Sequence, residues 1–404
     1  MRKEWRDNVW LIIELTVVSA AIWIIAAILY AYIQGVFKPR GFNPDNVYSL
    51  STNKVPKESV DYIDGLEGED YYTDFKILLD NLRKNPNVEE VAVHWNGLPY
   101  NYNFNGNQLH LIDENDSIGY YGNVRTVTPE YIKVMGITSK TGATEDQLIQ
   151  MLRNGDVLIS DENEVSEEHG SDVYSLKGRK MILHKDSANV KRVGDIIQQV
   201  RRTDYEETWA GSIIYPMDEK KAWGPVAVRV KPGKGKAFEE DFKNDASLRK
   251  LRNVYLSDLK SLEDIREACQ RSDEVDLRLY VVIIGFLLMT VFLGLLGTFW
   301  FRMQQRVSEI AIRMVAGAKK GQVFRRILSE GMILLSAAVI LVSAIMWPII
   351  LVDNDIVELG YDNYTVLILE VITIALVALG IILSLWWPAK KAMAVEPAIA
   401  IKDE

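Results

Sequence analysis

Arg302–Glu330, RMQQRVSEIAIRMVAGAKKGQVFRRILSE, is a short basic segment held between two long apolar runs. Arg302, Arg306, Arg313, Lys319, Lys320, Arg325 and Arg326 are opposed there only by Glu309 and Glu330. Val307, Ile310, Ala311, Met314, Val315 and Ala318 recur at spacings of three, one, three, one and three, which draws one apolar stripe along a helix. An amphipathic helix at the mouth of a membrane domain needs a cover for that stripe. Charge and periodicity alone leave two covers open: lipid headgroups or a protein partner.

Outward from this loop, four apolar runs stand out: Val9–Ile33, Leu279–Phe301, Gly331–Val352 and Thr365–Trp387. Each, at about 22 to 25 residues, exceeds the ~20 residues that a helix needs to cross about 30 Å of hydrocarbon. Between the first and second lies a polar segment, 34–278, the size of a soluble module. The sequence therefore predicts four transmembrane helices, with an α+β domain inserted between helices 1 and 2. The divisions are 1–33 (start and helix 1), 34–278 (outer domain), 279–301 (helix 2), 302–330 (loop), 331–352 (helix 3), 353–364 (short outer loop), 365–387 (helix 4) and 388–404 (tail).

Basic residues near the membrane ends set orientation. Arg2, Lys3 and Arg6 open the chain, seven lie in 302–330, and Lys390, Lys391 and Lys402 are in the tail, whereas DNDIVELGYDN at 353–363 is acidic. Both termini and the loop are thus expected inside and 34–278 outside. Trp10, Trp300, Trp386 and Trp387 fall at inner ends, and Tyr30, Tyr32, Trp347 and Tyr364 at outer ends, as amphipathic rings prefer. The first run is longer than the ~7–15 residues of a signal-peptide core, so it reads as an uncleaved anchor. The net charge of -9 comes with no basic arm, against nucleic-acid binding. The single Cys269 excludes an internal disulfide.

Within the helices, Ser19, Ala20, Ala21, Ala26, Ala27 and Ala31 permit close packing. Glu14 and Glu370 are intramembrane carboxylates at opposite depths, too far apart for a relay. In the outer segment, the helical stripe of Tyr72–Lys84 is followed by a strand at Val88–Trp95. A hairpin is expected with Tyr100, Tyr102 and Phe104 on one arm, Leu109 and Leu111 on the other, and Asn105-Gly106-Asn107 as the turn. VRTVTPEYIKVMGI reads as strand, turn and short helix and DVLISDENEV as a strand ending in an acidic loop; further strands are expected at Lys191–Arg201, Ser212–Tyr215 and Gly224–Val230, then a helix at Lys236–Asp245. Ser261–Asp264 fits a capping box opening a helix that continues into the second run, with room for a kink at Ser272–Asp276.

Catalytic signals are absent. His94, His110, His169 and His184 have no metal-site spacing, no GxSxG elbow occurs, and Lys231–Lys236 lacks the order of a phosphate-binding loop. No cofactor is implied. The pieces assigned to the inside are too small to hold a nucleotide-hydrolysing domain.

Ser308–Lys320, SEIAIRMVAGAKK, resembles the R-E-I-G-I-R-x-A-x-G-A-x-x signature of the MacB/FtsX-like permeases of ABC transporters, with Ser308 and Ala311 in place of its usual Arg and Gly. Pro388–Ala392 and Val395–Ile401 are similar to that family's tail. More faintly, VTPEYIKVMGI at 127–137 and KRVGDIIQQVR at 191–201 resemble segments of its outer (MacB-like periplasmic core) domain, while HGSDVYSLKGRK replaces its FG-x-x-N-P-I-G-K element.

The resemblance implies a non-catalytic permease of the bacterial cytoplasmic (inner) membrane. It implies a dimer with a second copy or homologue, a separate cytoplasmic ABC ATPase, and in some members an extracytoplasmic adaptor or envelope enzyme. It makes the loop helix a coupling helix, with Val307, Glu309, Ile310, Ala311, Arg313, Met314, Gly317, Ala318 and Lys319 as the docking residues. Export and mechanotransmission are the activities it implies; an ATP-driven regulator of an envelope enzyme, or a sensor without transport, are the rivals.

Overall fold

The apolar runs grow into helices longer than the runs themselves. In the computed structural model, which describes residues 2–101, 103–112, 119–161, 172–183, 190–205, 210–352 and 363–392, α1 is Arg2–Phe37 and α6 is Leu262–Gln305. The other long helices are α8, Lys320–Val352, and α9, Asn363–Ala392. Each holds a stretch long and apolar enough to cross a membrane. The acidic 353–362 connection, the tail motif from Val395, Tyr102, His169 and His184 lie outside the described residues. The chain divides into two compact units, 1–34 with 273–404, and 35–272.

In the first unit, Leu15, Ile22, Leu295, Phe299, Leu335, Ala338, Val377, Ile381 and Leu385 form the helix–helix core. Phe286, Ile333, Ile340 and Val371 instead present large apolar side chains outward, which suits a solvent of acyl chains. Hydroxyls in these helices bond back to the carbonyl four residues earlier: Thr16 to Ile12, Thr298 to Gly294, Ser336 to Met332 and Thr373 to Leu369. A hydroxyl in hydrocarbon has no water to turn to, and this local bond satisfies it.

The second unit has two sheets that meet at one strand end. β1 (Val47–Lys54), β2 (Val88–Trp95), β9 (Val226–Val230), β10 (Lys250–Leu251) and β11 (Val254–Ser261) form an antiparallel sheet in the order β10-β11-β1-β9-β2. Period-two alternation gives that sheet two apolar faces. Val91 and Val93 pack under α2 (Gly68–Lys84) and α5 (Gly235–Asn244). Ala92 faces the opposite way, toward α3 (Tyr131–Met135) and α4 (Glu145–Arg153).

β4 (Gly119–Val127) touches β2 only at its end, His94 opposite Val127. β4 then begins a ring with β3 (Gly106–Leu111), β6 (Lys180–Leu183), β7 (Val190–Ile197), β5 (Val157–Ser160) and β8 (Gly211–Pro216). β8 closes it by lying parallel to β4, Val124 opposite Ile213. Closure removes the unpaired edges that an open sheet would expose. Leu109, Tyr120, Val157, Ile159, Met181, Val193 and Ile213 fill the interior.

The expected hairpin is corrected. Asn105-Gly106-Asn107 is not a turn: Gly106 opens β3 opposite Asn123 of β4, and a side chain there would meet the Tyr121 hydroxyl at 2.2 Å. The preceding stretch is fixed as a loop by the Asn123 carboxamide oxygen, which accepts from the Asn105 N–H and the Asn96 amide. α6 also runs through Ser272–Asp276 without a break. It holds no Pro, and no Gly before Gly285, to kink it.

Candidate functional site

Between α6 and α8 the basic loop folds as a short separate helix, α7, Val307–Val315. Arg306 leaves helical geometry at φ -107, and its carbonyl accepts from the Ile310 N–H at 2.9 Å. At the other end Ala318 N–H donates to the Arg313 carbonyl and Gly317 N–H to the Met314 carbonyl, both at 3.0 Å. This pair is a Schellman cap, and it requires the left-handed φ of +98 that Gly317 adopts. Lys319 N–H then donates to the Gln322 side chain at 2.9 Å, which starts α8.

The structure supplies the stripe's cover from within the chain. Ile310 and Ala311 are buried with Met303 at the end of α6 and Val323 and Ile327 at the start of α8; Val307, Met314 and Ala318 pack partly against the same cluster. Burying a side chain of the size of Ile310 stabilises by about 1.5–3 kcal/mol, one contribution to holding the short helix on the bundle. Val315, the stripe's remaining member, is 66% exposed. Ile312, not in the stripe, is 56% exposed. Glu309, Ile312, Val315 and Ala316 therefore form the outward face, and Gly317 and Lys319 are exposed beside it.

Ion pairs fasten this arrangement. Glu309 meets Arg313 at 2.6 Å one turn on, and Arg306 reaches Glu330 of α8 at 2.6 Å. The first is a surface i,i+4 pair worth about 0.3–0.5 kcal/mol; the second ties the start of α7 to α8. Beside the helix is an open groove of about 530 Å³. Met303, Ile310, Val323 and Ile327 line its apolar part, and Arg306, Glu309, Arg313, Arg326 and Glu330 its charged part.

The two intramembrane carboxylates stay apart. Glu14 of α1 lies against α6 where Gly294 leaves room: a Cβ there would come within 2.6 Å of its Oε1. Glu370 of α9 accepts from the Ser343 hydroxyl and, at 3.4 Å, from the Trp347 indole N–H.

Sequence reasoning missed a polar knot in the outer unit. Asp204 accepts two bonds from the Arg40 guanidinium at 2.8 and 3.0 Å and one from the Tyr100 hydroxyl at 3.3 Å, with Arg266 at 3.7 Å. Arg201 donates to the carbonyls of Gly35 and Asp204. The knot joins the connector after α1 to the first turns of α6. Its members are scattered from residue 35 to residue 266, so no local spacing announces it. The aromatics at 95–104 diverge: Trp95 is exposed, Tyr100 is buried in the knot, and Phe104 packs on Tyr121.

No curated protein matches the chain. Among solved structures, "Crystal structure of the extracellular domain of noncanonic ABC-type transporter YknZ from Gram-positive bacteria" aligns over 52% of this chain and 100% of its own. The identity is 9% and the TM-score 0.30, a likeness too distant to carry an argument. The family model for the FtsX-like permease C-terminal domain matches residues 281–397. That span takes in most of α6, all of α7 and α8, and α9, so the loop helix and its glycine cap lie inside the match. Over residues 281–397 this chain is similar to the C-terminal domain of FtsX-like permeases.

Proposed function

We propose that the chain is the permease subunit of a MacB/FtsX-type ABC transporter. In this reading it spans the bacterial cytoplasmic membrane as a dimer, with both termini and 302–330 inside and 34–278 outside. A separate cytoplasmic ATPase docks on the segment 307–319 and drives conformational change in the outer domain, for export or mechanotransmission.

The observation that carries the reading is the division of labour across α7. One side is fixed in the bundle by Ile310 and Ala311, while the other offers Ile312 and Val315 beside the Glu309–Arg313 pair. Two exposed aliphatic side chains on a rigidly held helix are what a partner's groove would bury. The helix, being packed on α6 and α8, would pass any displacement directly to the ends of both. The docking residues within 307–319 are therefore the outward ones, Glu309, Ile312, Arg313, Val315 and Lys319. Ile310, Ala311, Val307, Met314 and Ala318 act by holding the helix, with Gly317 in the turn.

The test is co-purification of the tagged full chain with a co-expressed ABC ATPase. Ile312→Asp and Val315→Asp should each lower association at least about tenfold, the scale of a buried interface anchor, and Glu309→Lys should weaken it less. Each variant should elute as the wild-type membrane species. Undiminished association and ATPase stimulation in both aspartate variants would overturn the assignment.

A further inference from the structure

The end of α6 that leads into the basic loop carries a cluster that the docking reading does not use. Trp300 stacks on Trp387 of α9, ring centroids 4.9 Å apart and planes inclined by 23°. Lys391 lays its ammonium 4.6 Å from the centroid of Trp300 and 5.8 Å from that of Trp387. Lys390 lays its own 5.4 Å from the ring of Trp386. Trp300, Trp387 and Lys391 thus form one cluster from two helices, and Trp386 with Lys390 forms a second pair one residue away along α9.

Two features of the cluster point to a ligand. Trp386 and Trp387 are 57% and 54% exposed, although indole carries more apolar surface than almost any other side chain. And among the described residues no carboxylate pairs with Lys390 or Lys391; Glu309 and Glu330, the acids of the 302–330 loop, are engaged by Arg306, Arg313 and Arg326. An ammonium over a ring face keeps its full charge, and the ring contact, worth about 0.5–1 kcal/mol at an exposed site, fixes its position without neutralising it. The site is therefore cationic, ordered in advance and flanked by amphipathic rings at the end of spanning helices.

We propose that Trp300, Trp386, Trp387, Lys390 and Lys391 form a binding site for an anionic phospholipid, its phosphodiester on the two ammoniums and its glycerol and first acyl carbons along the indoles. A free phosphate would use the lysines but not the exposed ring faces, and a zwitterionic lipid would bring a cation of its own toward Lys390 and Lys391. The site rests on the chain spanning a membrane and not on the ATPase assignment.

Native mass spectrometry of the full chain, released from equimolar phosphatidylglycerol and phosphatidylcholine, tests it. The wild type should retain phosphatidylglycerol in preference, and Lys390→Gln with Lys391→Gln should reduce that preference by about fivefold per ammonium. Lys319→Gln with Lys320→Gln removes the same charge from the adjacent loop and should leave the preference intact. Trp386→Ala keeps both lysines and should lower retention of both lipids. No preference in the wild type, or equal loss in the two double variants, would overturn the proposal. So would displacement of phosphatidylglycerol by millimolar inorganic phosphate, which would mark an ion site.

Discussion

His94 shows how far a single side chain can be bound to its surroundings. It is fully buried where β2 meets the end of β4; its Nδ1 accepts the Gly97 N–H at 3.2 Å, and burial pulls its pKa from 6.5 down to about 4. A nitrogen that accepts carries no proton, so the imidazole is neutral with its hydrogen on Nε2. A Cβ at residue 97 would lie 2.6 Å from that of His94, so only glycine lets the loop approach this closely.

The sign of the pH effect follows from linkage. Above pH 6.5 neither state binds the proton; as pH falls from 6.5 toward 4 the unfolded chain takes it and the folded one does not. Stability held at neutral pH is lost across that window, by about 2 kcal/mol at pH 5 and about 3 kcal/mol once both states titrate. His94→Gln lacks the titrating group. Between pH 7.5 and pH 5 the stability of the wild type relative to this variant, read from unfolding of the detergent-solubilised full chain, should fall by about 2 kcal/mol. A constant difference would show that His94 titrates as it would in water.

At the scale of the element, α7 depends on its turn as much as on its stripe. Gly317 has nothing within 4 Å of where a Cβ would sit, so Gly317→Ala meets only the strain of φ +98, about 1–2 kcal/mol. Gly321, the second residue of α8 with equally open space, takes alanine without backbone strain. Gly317→Ala should therefore reduce stimulation of the ATPase while the bundle stays folded, and Gly321→Ala should not. Equal stimulation in both would mean that the turn does not hold the docking face.

This element also marks what a sequence reveals. The period of Val307, Ile310, Ala311 and Met314 shows that one side of a helix is buried; it does not say by what, and the cover turned out to be Met303, Val323 and Ile327 of the same chain. β2 was legible because Val91 and Val93 alternate with polar or small neighbours. β1, VYSLSTNK, was missed because its later residues are polar and half-exposed. The ring of strands was out of reach for a different reason. Its closing contact pairs β4 with β8 almost ninety residues later, and pairing at that distance leaves no local pattern.

On the scale of the whole molecule, the membrane unit and the outer unit are separate compact bodies whose chain crosses from one to the other within α1 and α6. α6 is 44 residues of uninterrupted helix, about 66 Å at 1.5 Å per residue. Its first turns are set in the outer unit, where Leu262 is buried among Tyr131, Ile132 and Leu148 and where Arg266 approaches Asp204. Its last turn is Met303, which packs on α7. A continuous helix resists bending and twisting, and we predict that displacement of α7 by a partner is carried along α6 toward the Asp204 knot. Two glycines inserted between Ser272 and Asp273 would break that path without touching either core. The same insertion after Gly65, in a turn with nothing within 4 Å of the glycine, adds equal length away from it. With the permease–ATPase complex assembled in both, nucleotide-dependent changes in hydrogen exchange at 35–272 should vanish in the first and persist in the second. If they persist in both, the signal reaches the outer unit by α1 or by contact between subunits, and α6 is a tether and not a lever.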